Sequence, residues 1–229
     1  MIIGKGLLAQ AFARDWQEHA SVAILAAGVS NSAETDPREF AREHRLLQQT
    51  LANASYARIV YFGSCAAGNP LEVPTPYIAH KSRMEALVLA DPRGQVFRLP
   101  QVVGSGGNPN TLVNFLRSRI ESGEHFQVWA HAERNLIDID DVARIATHVL
   151  QHAHDYPRMM ALADLRSANM LTIVRQLEQA MGRKGNYVVL EKGTPFPIDI
   201  DDCQRAASRC GIALGSGYLA ALLAKYSAH

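Results

Sequence analysis

Residues 1–16, Met1-Ile2-Ile3-Gly4-Lys5-Gly6-Leu7-Leu8-Ala9-Gln10-Ala11-Phe12-Ala13-Arg14-Asp15-Trp16, decide the fold. Three apolar residues run into a Gly-x-Gly turn, and beyond it the apolar positions recur at helical spacing, which reads as strand, glycine turn, helix. The small residues of Gly4-x-Gly6-x-x-Ala9 let backbone amides approach a pyrophosphate at the positive end of the helix. Glycine turns after strands are common, so the turn taken alone also reads as a plain connection.

Outward from this stretch the same alternation repeats. Val22-Ala23-Ile24-Leu25-Ala26-Ala27-Gly28 is an apolar run ended by glycine, followed by a polar loop and a helix over 36–53. Arg58-Ile59-Val60-Tyr61-Phe62-Gly63 reads as a buried strand, 77–89 as a helix, 96–99 as a strand running on toward Gly104, and 111–120 as a helix with Gly123 just beyond its end. Strands alternating with helices predict an α/β fold, a doubly wound parallel sheet with helices on both faces. Because a single helix joins them, the strand over 22–28 is expected directly beside residues 1–3. The last third changes character, with helices over 141–152, 171–181, 201–210 and 217–225 and one strand-like run, 186–190. The division expected is a core over 1–155, with an excursion toward the substrate around 104–140, and a small, mainly helical C-terminal lobe over 156–229.

The chain has 229 residues, 23 Lys+Arg against 22 Asp+Glu, a net charge of +1 and 48% hydrophobic residues, the profile of an ordinary soluble globular protein. Without a dense positive stripe, a nucleic-acid partner held by phosphate contacts is excluded. No apolar run approaches the roughly 20 residues of a membrane helix, and the first residues lack a signal peptide's apolar region, so no membrane partner and a cytoplasmic location are expected. Cys65, Cys203 and Cys210 are too few and scattered for a disulfide framework or a four-ligand zinc site. His148, His152 and His154 include an i, i+4 pair with no acidic or thiol ligand beside it, so no metal is expected. Of Asp138, Asp140 and Asp141, the last is read as the cap of the helix that follows.

Chemistry is carried by Tyr77-Ile78-Ala79-His80-Lys81, introduced by Pro74-Thr75-Pro76. Residues four apart share one helix face, so an ammonium there stabilises a phenolate, can reach a bound ribose, and fits Tyr77 for proton transfer at a carbinol oxygen. An isolated pair of this kind also reads as a core tyrosine with a solvated lysine. Ser64 changes the balance: it ends the strand that begins at Arg58, thirteen positions before Tyr77, at the sheet edge where ligands bind in parallel sheets.

In this order, Gly4-x-Gly6-x-x-Ala9, Leu25-Ala26-Ala27, Tyr61-Phe62-Gly63-Ser64, Tyr77-x-x-x-Lys81, Arg98-Leu99-Pro100-x-Val102-x-Gly104 and the run from Arg134 to Ala143 resemble the extended short-chain dehydrogenase/reductase family, its NAD-dependent epimerase/dehydratase group. The resemblance implies a Rossmann-like sheet and a catalytic set of Ser64, Tyr77 and Lys81. It implies NAD or NADP against Gly4, Gly6, Leu7, Leu8, Ala26, Ala27, Gly28, Tyr77, Lys81, Pro100 and Val102. It further implies a nucleotide sugar or other small carbonyl substrate whose diphosphate meets Arg134, and a homodimer through the helices over 36–53 and 77–89. Arg134 also reads as a surface arginine.

Two departures from the family pattern shape the expectation. Between Gly6 and Ala26 there is room for one helix only, where the family has two further strands, so the sheet is reduced on the adenosine side and the acidic residue that binds the adenosine ribose has no counterpart. Cys65-Ala66-Ala67 follow Ser64 where the family's sugar 4,6-dehydratases carry an Asp-Glu pair, which leaves a keto-reductase or an epimerase. The fucose-synthase branch uses a cysteine near this point as an acid/base, making Cys65 a substrate-side candidate; it also reads as a buried structural thiol. The rival reading of the whole chain is a degenerate dinucleotide fold with a regulatory or scaffolding role.

Overall fold

The computed structural model describes residues 1–106, 108 and 111–227. In chain order the elements are β1 (Ile2–Ile3), α1 (Leu7–Trp16), β2 (Val22–Leu25), α2 (Pro37–Ala52), β3 (Arg58–Ser64), α3 (Cys65–Gly68), α4 (Pro76–Ala90), β4 (Gly94–Leu99), β5 (Gln101–Val103) and α5 (Leu112–Ser122). There follow β6 (Phe126–Trp129), β7 (Glu133–Arg134), β8 (Leu136–Asp138), α6 (Ile139–Gln151), β9 (Met159–Ala161), β10 (Ala168–Asn169), α7 (Met170–Met181), β11 (Tyr187–Leu190), α8 (Asp201–Arg209) and α9 (Tyr218–Ser227).

The central sheet is parallel throughout, in the order β1-β2-β3-β4-β9. The strand after α1 does lie directly beside β1, with Ile2 opposite Ile24 and Ile3 opposite Leu25. Among the described residues nothing pairs with the other side of β1, so the half-sheet that would carry the adenosine side is missing as the short spacing requires. One face of the sheet is closed by α1 and α6, where Phe12 and Trp16 meet Ile24, Val60, Phe62 and Phe97 and the buried stripe of α6 from Val142 to Val149. The other is closed by α2 and α4, where Leu47, Met84 and Val88 pack on Leu25, Tyr61 and Val96. Such runs, apolar on every residue, are what a strand buried on both faces needs.

Sequence punctuation sets the helix starts that matter for the site. Asp36 caps α2 by accepting from the Arg38 N–H at 2.8 Å, with Pro37 in the first turn, and Thr75 caps α4 through its hydroxyl and the Ile78 N–H at 3.1 Å. Asp141 is not the cap of α6. That role falls to Asp138, which accepts from the Asp140 N–H at 2.9 Å, while Asp141 takes the Tyr218 hydroxyl at 2.7 Å. The strand expected to run from 96 to Gly104 is likewise two strands. Pro100, which has no N–H to give a ladder, separates β4 in the main sheet from β5, which pairs in parallel with β8.

Beyond residue 155 the chain serves two cores. β9 completes the main sheet and α8 adds Cys203, Ala206 and Ala207 to the core beneath α6. α7 and α9 instead build a second core with α5 and β6, around Leu116, Ile120, Phe126, Ile173, Leu177 and Leu223. Among the described residues no helix is long and apolar enough to cross a membrane.

Candidate active site

A cleft of about 860 Å³ runs along the carboxyl ends of β1, β2, β3 and β4 and under the second core. At one end Gly6, Leu7 and Leu8 line it. Gly6 stands at the start of α1 with no side chain capping the helix, and a Cβ there would meet nothing within 4 Å, so the first amides of α1 are open to an anion. Gly4 lies behind this turn rather than on the cleft wall. Its φ of +138° and the 2.5 Å that would separate a Cβ from the Ala26 carbonyl oxygen show why only glycine serves there. Ala26, Ala27 and Gly28 continue the wall, and Pro100 and Val102 close it from the far side. Small residues, open helix amides and this length together fit a dinucleotide.

At the centre, Ser64, Tyr77 and Lys81 come together as the spacing implies. The Ser64 hydroxyl accepts from the Ala66 N–H at 3.3 Å and lines the cleft beside Tyr77. Burial pushes the Tyr77 phenol up to about 12, helped by the Glu43 and Glu85 carboxylates and opposed by the Ser64 hydroxyl. The Lys81 ammonium lies 5.9 Å from the centre of the Tyr77 ring, and its burial lowers its pKa against the pull of Glu43. Arg134, on β7, also lines the cleft, its Nη1 donating to the Glu133 carbonyl at 2.7 Å.

Cys65 is placed elsewhere. It begins α3, is buried, and lines a separate cavity of about 180 Å³ shared with Arg98, Asp199 and Cys203, and burial pushes its thiol well above the usual range. Of the loop after Gly104, residues 107, 109 and 110 lie outside the described set.

The residues 4–163 match the family model of the NAD dependent epimerase/dehydratase family. The chain belongs to that family. No curated protein matches it. Among solved structures, UDP-N-acetylglucosamine 4-epimerase from Bacillus cereus superposes with a TM-score of 0.69 at 15% identity, covering 98% of this chain and 96% of that one. UDP-glucose 4-epimerase from Thermus thermophilus, in complex with NAD, gives 0.70 at 14% identity over 97% and 83%. UDP-glucuronic acid 4-epimerase from Bacillus cereus, with UDP-glucuronic acid and NAD, gives 0.67 at 15% over 96% and 77%. At such identities the likeness establishes the shared fold.

Within this family member, α2 contributes one residue that lines the cleft, Arg42, and one buried beneath it, Glu43, neither of which was singled out from the sequence. Arg42 lines the cleft beside Ser30, Asn31 and Ser32, its Nη1 on the Ala27 carbonyl at 3.1 Å and its Nε on Glu39 at 3.0 Å. Glu34, the one acid of that loop, turns away to accept from the Thr35 and Asp36 N–H groups. Glu43 is fully buried beneath the cleft. Its Oε1 accepts from the Tyr61 hydroxyl at 2.6 Å and Lys81 at 3.0 Å, its Oε2 from the Val29 N–H at 2.7 Å, and His80 Nε2 stands 3.0 Å from Oε2. Burial alone would raise this carboxyl, but His80, Lys81, Tyr61 and the Val29 amide outweigh it and hold it at about 2. The available signal was spacing: Glu43, Leu47 and Thr50 are the buried positions of α2, at i, i+4 and i+7, so the glutamate occupies the core-facing stripe.

Proposed function

We propose that the protein is an NAD(P)-dependent oxidoreductase acting on a nucleotide sugar, as a keto-reductase or an epimerase. The observation that carries this reading is the grouping of Ser64, Tyr77 and Lys81 in one cleft at the carboxyl end of β3, a cleft that the open start of α1 and Arg134 also line. A bound nicotinamide would supply or remove hydride at a sugar carbon. Tyr77 gives its phenolic proton to the carbonyl oxygen formed there, or takes it back, and Ser64 holds that oxygen through its hydroxyl. Gly6, Leu7 and Leu8 receive the cofactor pyrophosphate, and Arg134 pairs the substrate diphosphate as a planar fork. Cys65 has no part in this scheme, because it opens on another cavity.

The substrate class is supported by the family and by the sugar nucleotides named for the structural neighbours. The same reading includes a homodimer through α2 and α4, where Phe40, Leu46, Leu51, Leu87 and Leu89 are only partly covered. Incubation with NAD or NADH and a panel of UDP- and dTDP-sugars tests the activity. Interconversion of epimers with catalytic NAD, or consumption of NADH by a keto-sugar, is expected. Failure to bind either reduced cofactor at millimolar concentration would instead favour the scaffold reading, for which the missing half-sheet speaks.

A further inference from the structure

Lys5 and Arg42 both line the cleft, and both are brought to the residues just past the end of β2. Gly4 packs so closely there that a Cβ would come within 2.5 Å of the Ala26 carbonyl oxygen and 3.1 Å of the Ala27 nitrogen, which carries the next residue, Lys5, in from β1. Arg42 arrives from α2, with Nη1 on the Ala27 carbonyl at 3.1 Å. Its Nε is held by Glu39 at 3.0 Å, an exposed pair that leaves Nη2 to a ligand. The Lys5 ammonium meets no carboxylate among the described residues, while its backbone carbonyl accepts from Gln10 Nε2 at 3.2 Å. Acids are placed elsewhere: Glu34 is turned onto the Thr35 and Asp36 N–H groups, and Glu72, the carboxylate among the described cleft-lining residues, belongs to the stretch before α4. A dinucleotide whose pyrophosphate lies on the open amides of α1 has its adenosine ribose joined one ester bond away, within reach of a lysine stem in that same turn. A carboxylate at this ribose selects a free 2′-hydroxyl and repels a phosphate, and the strand that would bring one is missing here. Two cations without a free carboxylate favour the phosphorylated ribose instead.

We propose that Lys5 and Arg42 together form a site for the 2′-phosphate of the phosphorylated dinucleotide, so that this member of the family favours NADPH over NADH. This rests on the cofactor-binding reading above and adds which of the two cofactors is preferred. At 14% and 15% identity, the NAD held by two of the structural neighbours does not decide that choice. The preference is moderate, because both side chains are exposed and their charges are screened by salt.

Fluorescence titration of NADPH and NADH into the wild-type chain, Lys5→Met, Arg42→Gln and the double variant tests this, with circular dichroism confirming that each is folded. Wild type is expected to bind NADPH about thirtyfold more tightly than NADH. Arg42→Gln should weaken NADPH by about tenfold and Lys5→Met by about threefold, each leaving NADH within about twofold, so that the double variant binds the two cofactors equally. Raising the salt from about 50 to about 500 mM should narrow the wild-type preference and leave that of the double variant unchanged. Equal binding by wild type, a preference for NADH, or a preference for NADPH that survives in the double variant overturns the inference while the cofactor reading stands. If wild type binds neither cofactor at millimolar concentration, the cofactor reading itself falls and carries this inference with it.

Discussion

Arg98 grips Glu85 through two nitrogens, Nε at 3.0 Å and Nη2 at 2.7 Å on the same carboxylate oxygen, while the other oxygen of Glu85 accepts from the Ser64 N–H at 3.2 Å. β4 and α4 are thereby tied together directly behind the residue that faces Tyr77. Gly63 belongs to this arrangement, because any Cβ there would overlap Glu85 Oε1.

Removing the arginine leaves a carboxylate that is 3% exposed without its partner. Since Arg98 is itself partly exposed, Arg98→Met is expected to cost about 2–3 kcal/mol, seen as a fall in Tm of roughly 5–10 °C. Replacing both partners, as in Arg98→Met with Glu85→Leu, should recover most of that loss by differential scanning calorimetry.

The high pKa of Tyr77 gives the two reaction directions opposite pH behaviour. Reduction needs the phenol and is expected to be flat from pH 7 to 10 as far as Tyr77 governs it. Alcohol oxidation needs the phenolate, so with a pKa of about 12 its rate should rise about tenfold per pH unit over the same range. Ser64→Ala removes the hydroxyl that lowers this pKa and should depress oxidation further at fixed pH. Tyr77→Phe should abolish turnover in both directions while changing the cofactor Kd less than about threefold.

Cofactor choice is expected to be loose. Ser30, Asn31 and Ser32 offer a ribose hydroxyls and amides, and Glu34 is committed to the start of α2, so the one carboxylate of that loop is not free to select a 2′-hydroxyl. Calorimetric titration should find NADH and NADPH within about a hundredfold of each other. Arg42, beside Ser30, Asn31 and Ser32, is a cation placed to meet a 2′-phosphate, and Arg42→Gln should weaken NADPH by about tenfold while leaving NADH nearly unchanged.

α9 is clasped to the start of α6: Lys225 bridges Asp138 and Asp140, each at 2.7 Å, and the Tyr226 hydroxyl donates to Asp138 at 2.8 Å. Lys225 is 45% exposed, so Lys225→Met should cost less than about 1 kcal/mol. Tyr226→Phe breaks a buried bond to a carboxylate and should cost about 1–2 kcal/mol. Urea unfolding of the two variants checks that order.

What was legible in the sequence were features written locally: the Gly-x-Gly turn, the four-residue step from Tyr77 to Lys81, the apolar runs of β2, β3 and β4. The deletion on the adenosine side was legible too, since the distance from Gly6 to Ala26 admits one helix. Glu43 and Arg42 were not, because a charged residue on a helix ordinarily faces solvent, and only the packing of α2 against α4 and the end of β2 shows where these two point. Cys65 does not line the cleft, for a related reason. One position past Ser64 the chain enters α3, and the side chain swings to the opposite cavity. The cap of α6 was misplaced by three residues because Asp138, Asp140 and Asp141 are chemically equivalent, and the end of β8 decides which one leads.

The two-residue β1 has a consequence for the free protein. It is tied to the sheet on one side only, by the Ile24 N–H on the Met1 carbonyl at 2.9 Å and the Ala26 N–H on the Ile3 carbonyl at 2.8 Å. A ribbon so short and so one-sided is the cheapest part of the sheet to open, and the glycine turn that meets the pyrophosphate opens with it. Amide exchange there is expected to be fast in the absence of ligand and to slow when the turn is filled, so deuterium uptake at the edge of the sheet should report occupancy of the cleft.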